Sequence, residues 1–180
     1  MNLCARILKW LGWTVTVSVP DYDKCLICVA PHTSNWDFLL GEVAIRSVGR
    51  SAGFLMKESW FFWPLGSIFR AMGGVPVPRR KKKGSLTEAL VERFRESEHL
   101  VLAITPEGTR SRNANWHTGF LHIAREAQVP ILLAALDFGT KHISLDKEFR
   151  PSGDVEADMQ VVKEYYRSFK GKYPDKFAIE

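Results

Sequence analysis

The sequence predicts an α/β fold, with one domain over residues 1–180, a mainly parallel or mixed central sheet, and helices on both faces. Short apolar runs alternate with segments of helical apolar spacing along most of the chain, and this alternation is typical of a sheet covered by helices. The length of 180 residues suits one domain. A composition of 46% hydrophobic and 25% charged residues is that of a globular protein with a real core.

The first half of the chain predicts three strands and two helices. Residues 14–19 (TVTVSV) alternate at period two, and residues 25–30 (CLICVA) form the continuous apolar run of a buried strand. Residues 36–48 have helical apolar spacing. Residues 53–57 (GFLMK) predict a short strand, and residues 59–73 predict a helix in which a proline marks a kink or a boundary.

The second half repeats this alternation. Residues 85–98 are the clearest helix, because a Ser-x-x-Glu capping box opens the segment and its apolar residues share one face. Residues 100–105 (LVLAIT) predict a buried strand, residues 119–127 a helix, and residues 130–138 (PILLAALDF) a further strand. An amphipathic helix is expected at about 156–170. Because functional sites of such sheets gather where the strands end, polar residues just past strands 25–30 and 100–105 are candidates.

The charge and the cysteines narrow the possible partners and the compartment. A net charge of +5 favours a polyanionic partner, which leaves nucleic acid, an anionic membrane surface and a phosphorylated small molecule open. The three cysteines, Cys4, Cys25 and Cys28, are too few for a disulfide scaffold and fit a reducing compartment. Cys25 and Cys28 have C-x-x-C spacing, but the apolar run around them favours two buried thiols over a metal site.

Two segments bear on membrane contact. No secretory signal is visible, and no window reaches the roughly 18 apolar residues that a membrane span requires. The protein is therefore expected to be soluble or to lie on a surface. Residues 3–13 fit either an interfacial helix or a helix packed on the domain, and the aromatic run at 60–66 (WFFWPLG) leaves the same two alternatives.

His32 and Asp37 directly follow the strand at 25–30. With Ser34 as the N-cap of the next helix, Asp37 falls in the first turn and can reach back to the imidazole of His32. The carboxylate would then hold one ring nitrogen and leave the other as a base. The alternative is that Ser34 and Asp37 form only a capping box and serve backbone N–H groups.

Two further segments carry groups that suit anions. In TPEGTRS (105–111), the proline and glycine force a tight turn, Glu107 can accept hydrogen bonds from hydroxyls, and Arg110 offers a planar fork for phosphate. The alternative is a surface turn with a solvated ion pair. The basic block RRKKK at 79–83 is either a solvated loop or the contact for a second anion, with Arg79 at the edge of the sheet.

Four segments together resemble the glycerolipid acyltransferase family, which includes the 1-acylglycerol-3-phosphate O-acyltransferases. HTSNWD (32–37) matches the H-x4-D motif, and TPEGTRS is a near-complete copy of the third block. GGVPVPR (73–79) and VPILL (129–133) stand where the second and fourth blocks belong. The resemblance covers roughly residues 25–135.

This resemblance implies a role for each matching residue. His32 would be the general base that takes the proton of an acceptor hydroxyl, and Asp37 would orient it and stabilise its cation. Residues implied to bind the acceptor are Arg79, Glu107, Gly108, Thr109 and Arg110. No metal or cofactor is implied, because the co-substrate, acyl-CoA or acyl carrier protein (acyl-ACP), is already activated as a thioester.

The expected function is that of an O-acyltransferase of phospholipid biosynthesis acting on a hydroxyl of a glycerolipid such as 1-acylglycerol-3-phosphate. The enzyme is expected in the cytoplasm, peripheral to the anionic inner face of the membrane, with no nucleic-acid partner. Pro76 and Pro78 depart from the family's second block, and His117 stands where a basic residue is common. A different lipid or aminolipid acceptor therefore stays open, as does a non-enzymatic basic module that binds anionic membrane or nucleic acid.

Overall fold

The structure, a computed structural model, describes residues 2–77 and 86–180. A seven-stranded mixed sheet forms its centre, in the order β1-β7-β6-β2-β5-β3-β4. The strands are β1 Thr14–Val17, β2 Lys24–Ala30, β3 Gly53–Lys57, β4 Gly74–Val77, β5 Leu100–Ile104, β6 Ile131–Asp137 and β7 His142–Phe149. The helices are α1 Leu3–Trp10, α2 Asn35–Ser47, α3 Leu65–Ala71, α4 Leu86–Glu96, α5 Gly119–Ala127 and α6 Val155–Tyr166. The predicted α/β class with a mixed sheet is confirmed.

The central strand β2 positions the loop that follows it. It runs parallel to β5 on one side and to β6 on the other, with Cys28 opposite both Ile104 and Leu133. The three strands therefore end at the same edge of the sheet, which we call the carboxyl edge. Loops after β2 and β5 are neighbours at this edge, as the fold class predicts.

Helices cover both faces of the sheet because β2 is apolar on both sides. Leu26 and Cys28 belong to a buried cluster that also contains residues of α4, α5 and α6. On the opposite face, Leu40 and Ala44 of α2 pack with Leu8 of α1 in a second cluster. This alternation of side chains along a strand is the period-two rule of β structure.

Several predicted boundaries differ from the structure. The strand predicted at 14–19 ends at Val17, and the helix predicted at 59–73 is a 3₁₀ turn at Glu58–Trp60 followed by α3, which begins directly after Pro64. The last helix, predicted at about 156–170, ends at Tyr166. The predicted start of the helix at 85–98 lies outside the described residues.

Strand β7 is absent from the sequence-based prediction. Its second half carries Asp146, Lys147 and Glu148 in succession, which gives no apolar alternation. The backbone explains why the segment is nevertheless a strand, because β7 lies between β1 and β6 and pairs with both. Its pairing with β6 is antiparallel, which makes the sheet mixed.

Within the described residues, no helix combines the length and the apolar character needed to cross a membrane.

One buried hydroxyl ties α6 to the central strand. The Tyr166 hydroxyl donates a 2.6 Å hydrogen bond to the carbonyl oxygen of Cys28, and its ring is fully buried. We expect Tyr166→Phe to lower the free energy of unfolding by about 1 kcal/mol, because that bond is lost without a new one. Urea denaturation measures the change. The matched control is Tyr173→Phe, at an exposed tyrosine, and equal losses in both variants would contradict the prediction.

Candidate active site

The loop between β2 and α2 places the two residues of the H-x4-D motif. Strand β2 ends at Ala30, His32 lies in the loop, and Ser34 caps the helix. Asp37 is then the third residue of α2, and its side chain reaches back to the loop. Both candidate side chains therefore lie at the carboxyl edge, because the helix begins soon after the strand ends.

Asp37 is buried and accepts hydrogen bonds on both carboxylate oxygens. Its Oδ2 accepts from the backbone N–H groups of Thr33 and Ser34, each at 2.7 Å, and its Oδ1 accepts from Ser34 Oγ at 2.6 Å. Burial alone would raise the pKa of Asp37, but the hydrogen bonds from His32, Ser34 and Thr33 outweigh it and hold that pKa below its ordinary value. Asp37 is therefore a buried carboxylate that keeps its charge.

The imidazole of His32 lies against this carboxylate. Its Nδ1 is 3.3 Å from Asp37 Oδ2, and the side chain is 19% exposed. With Nδ1 directed at the carboxylate, Nε2 is the nitrogen that remains for a substrate. Asp37 therefore accepts hydrogen bonds from the backbone N–H groups of the loop and also contacts the imidazole, so its contacts go beyond those of a capping box.

Glu107 lies beneath His32 rather than at the surface. The side chain is fully buried, and its Oε1 accepts a 2.6 Å hydrogen bond from the backbone N–H of His32. Its Oε2 has no hydrogen-bond partner among the described residues. The resemblance implies that Glu107 contacts the acceptor. In this structure its carboxyl holds the His32 backbone, and the contact with the acceptor stays a prediction.

The pKa values of the two carboxyl groups of the site are shifted in opposite directions. Burial raises the pKa of Glu107 to about 8, although the bond from the His32 backbone lowers it, and the negative charge of Asp37 raises it further. Glu107 is therefore mostly neutral at pH 7. Only Asp37 presents a negative charge to the imidazole.

The rest of the loop after β5 is a tight turn against His117. Gly108 has φ +64°, in the left-handed region, and a Cβ there would clash with the imidazole ring of His117, so the turn requires glycine. The backbone N–H of His117 donates to the carbonyl oxygen of Pro106 at 2.8 Å. His117 thus packs against the turn, a contact that the sequence leaves open.

The remaining predicted binding residues differ in exposure. Thr109 is half-buried, and its Oγ1 accepts a hydrogen bond from the backbone N–H of Ser111 at 3.2 Å. Arg110 is exposed, and it forms no ion pair within residues 2–77 and 86–180. Arg79 and the basic block at 79–83 lie outside the described residues. The structure therefore brings together His32, Asp37 and the loop of Glu107.

Sequence reasoning missed the contribution of the C-terminal segment. The backbone N–H of Tyr173 donates to Thr33 Oγ1 at 3.2 Å, and Gly171 packs directly on Thr33. Tyr173 and Thr33 are 140 positions apart, so no local pattern connects them. Segment 170–176 therefore belongs to the walls of the site.

The C-x-x-C pair is part of the core. Cys25 and Cys28 are buried on β2, and burial raises the pKa of each thiol to about 12. Both therefore stay uncharged, as packed apolar side chains. Across the described part of the chain, no three His, Cys, Asp or Glu side chains come together as a metal site.

A protein-family comparison defines the class. The acyltransferase family model matches residues 15–136, which is more than half of the chain. The chain therefore belongs to the acyltransferase family.

The fold is also similar to a solved structure. The crystal structure of the 1-acyl-sn-glycerophosphate (LPA) acyltransferase PlsC from Thermotoga maritima aligns with a TM-score of 0.59 and 21% sequence identity. The alignment covers 94% of this chain and 78% of that one. At this identity the likeness concerns the fold. No curated protein sequence matches the chain significantly.

The buried Glu107 carboxyl predicts a pH dependence of stability. Its pKa is 4.5 ordinarily and about 8 when folded, so between these values the folded state holds the extra proton. The free energy of unfolding should therefore fall as pH rises through this window, relative to Glu107→Gln, by at most about 1.4 kcal/mol per pH unit. Glutamine keeps an acceptor for the His32 backbone N–H and does not ionise.

Urea denaturation at several pH values between 5 and 8 measures this difference in slope. Glu98→Gln, which removes a carboxyl from an exposed position, is the matched control. Parallel curves for the wild type and Glu107→Gln would contradict the burial of a neutral Glu107.

Proposed function

We propose that the protein transfers a fatty acyl group from a thioester, acyl-CoA or acyl-ACP, to a hydroxyl of a glycerolipid such as 1-acylglycerol-3-phosphate. The observation that carries the proposal is the imidazole of His32, held 3.3 Å from the buried, ionised Asp37 at the carboxyl edge. A pair of this kind is the arrangement of a general base with its orienting carboxylate.

The proposed reaction follows from this geometry. Nε2 of His32 takes the proton of the acceptor hydroxyl while the hydroxyl oxygen attacks the thioester carbonyl carbon. Asp37 stabilises the imidazolium that forms. When the tetrahedral intermediate collapses, the carbon–sulfur bond breaks, and the imidazolium returns the proton to the departing thiolate. The products are the ester and the free thiol, and no metal is required because the thiolate is a good leaving group.

The position and exposure of Arg110 support the proposal that the acceptor carries a phosphate. It projects from the loop whose Glu107 bonds the backbone of His32, and it is exposed with no ion pair among the described residues. A guanidinium matches two phosphate oxygens at once. We propose that Arg110, together with Arg79, binds the phosphate, while Gly108 and Thr109 shape the turn that presents Arg110.

We also propose that the enzyme works in the cytoplasm, on the anionic inner face of the membrane. Its lipid acceptor and product stay in a bilayer. Exposed apolar side chains on α1, namely Leu3, Ile7 and Trp10, and the exposed Trp63 near α3 support such contact.

Loss of the proposed base should slow turnover strongly. We expect His32→Ala to lower the rate of thiol release from an acyl thioester, in the presence of lysophosphatidate, by about a hundred- to ten-thousand-fold. His122→Ala, at an exposed histidine of α5, is the matched control and should keep full activity. Full activity of His32→Ala would refute the mechanism, and no thiol release by the wild type with any lysolipid would refute the enzyme.

Loss of the proposed phosphate contact should act on binding. We expect Arg110→Ala to raise the KM for lysophosphatidate by about ten- to a hundred-fold, since a hydrogen bond to a charged group is lost, with a smaller change in kcat. Steady-state kinetics with monoacylglycerol, which has no phosphate, supplies the comparison. An equal effect on both acceptors would contradict a phosphate contact, and Arg125→Ala controls for the loss of one surface charge.

A further inference from the structure

The C-terminal segment is fixed at the carboxyl edge by backbone contacts. The N–H of Lys170 donates to Asp137 Oδ1 at 3.0 Å, and its carbonyl oxygen accepts from the N–H of Phe138 at 2.8 Å. A Cβ on Gly171 would lie 2.7 Å from Thr33 Cγ2 and 3.2 Å from Pro31 Cβ, so the chain passes as closely as a glycine allows. The segment therefore holds a defined position beside His32.

Four side chains form a cluster on this segment and on the first turn of α2. Lys172 Nζ lies 4.9 Å from the ring centroid of Trp36 and 5.8 Å from that of Tyr173. Lys176 Nζ lies 4.6 Å from the Tyr173 centroid. We call Trp36, Lys172, Tyr173 and Lys176 the cationic–aromatic rim.

The two rings of the rim are exposed, and its lysines form no ion pair among the described residues. Trp36 is 54% exposed and Tyr173 is 46% exposed, although large aromatic rings usually bury most of their surface. Neither lysine forms an ion pair with a carboxylate in the part of the chain that the structure describes. Gly171 packs on Pro31 and Thr33, the residues on either side of His32, and Tyr173 bonds Thr33, so the rim lies on a segment that flanks His32.

A second exposed apolar surface lies on the helix beside α2. Leu3, Ile7 and Trp10 follow one another at helical spacing on the solvent side of α1. Asn2 Nδ2 donates to the carbonyl oxygens of Arg46 and Ser47, which fixes the start of α1 at the end of α2. The helix that carries Trp36 thus has apolar surface alongside it as well.

Exposed tryptophan and tyrosine rings combined with unpaired lysines match the head-group layer of a membrane. Such rings lie at the boundary between acyl chains and water, and anionic lipids attract lysines near the surface. We propose that the cationic–aromatic rim binds the surface of a bilayer that contains anionic phospholipids, and that this contact turns His32 toward the lipid. The proposal rests on the proposed function in that a lipid acceptor must be met at a bilayer, and the rim itself takes no part in the chemistry.

Vesicle binding tests the proposal without reference to activity. The protein is sedimented with phosphatidylcholine vesicles, with or without phosphatidylglycerol, and the bound fraction is measured. The wild type should bind the anionic vesicles more tightly. The double variant Lys172→Ala/Lys176→Ala should lose about 20- to 30-fold in affinity for them, since each lysine near an anionic surface contributes about five-fold.

A matched double variant separates the rim from the overall charge. Arg93 is exposed in the last turn of α4, just before β5 begins, and Arg125 is exposed in the last turn of α5, just before β6 begins. Both therefore lie toward the edge of the sheet opposite His32. Arg93→Ala/Arg125→Ala removes the same number of positive charges and should lose less than about three-fold in affinity for the anionic vesicles.

Three results would overturn the proposal. They are an equal loss of vesicle affinity in the two double variants, equal binding of the wild type to both kinds of vesicle, and no binding to either.

Acyl transfer is measured on the same vesicles with a labelled thioester. If vesicle binding depends on the rim but no acyl group is transferred to any lysolipid, the proposed function fails and the membrane contact stands. If transfer occurs but the binding is independent of the rim, only the membrane contact fails.

Discussion

The site depends on the parallel pairing of β2 with β5. This register sets Cys28 opposite Ile104, so that the loops after the two strands leave the sheet side by side. Glu107 then reaches the backbone N–H of His32 at 2.6 Å, across 75 positions of sequence. A slip of one residue would shift the loop by about 3.3 Å and turn alternate side chains to the wrong face, so the bond would be lost. The packing of the apolar strands thus fixes the position of His32, the proposed base.

Two buried carboxyl groups contact His32, Asp37 at its ring and Glu107 at its backbone N–H, and the hydrogen-bond donors that each receives determine its charge. Asp37 receives two backbone N–H groups, the Ser34 hydroxyl and the imidazole, which together overcome the cost of burial. Glu107 receives one donor, lies near the charge of Asp37, and is mostly neutral at pH 7. Asp37 then supplies the one negative charge that can stabilise an imidazolium at His32. The neutral carboxyl of Glu107 holds the His32 backbone and does not take the proton from the imidazolium.

The parts of the site predicted from sequence are those that local rules govern. His32 and Asp37 are five positions apart across a helix start, and capping geometry alone brings them together. The neighbouring loop of Glu107 follows from the order of parallel strands. The burial of Glu107 could not be predicted, because it depends on how two loops pack, and neither could β7, whose charged half becomes a strand only through its two partners.

The C-terminal segment shows how residues outside the family match complete the site. The matched range ends at 136, yet Gly171 and Tyr173 contact Thr33, whose own N–H donates to Asp37. Thr33 therefore connects the segment to the carboxylate through one residue. Because Thr33 is fully buried, it cannot exchange either contact for water without opening the loop. A displacement of the segment would consequently disturb the donors that keep Asp37 ionised, so the geometry of His32, the proposed base, is maintained by both the sheet and the C-terminal segment.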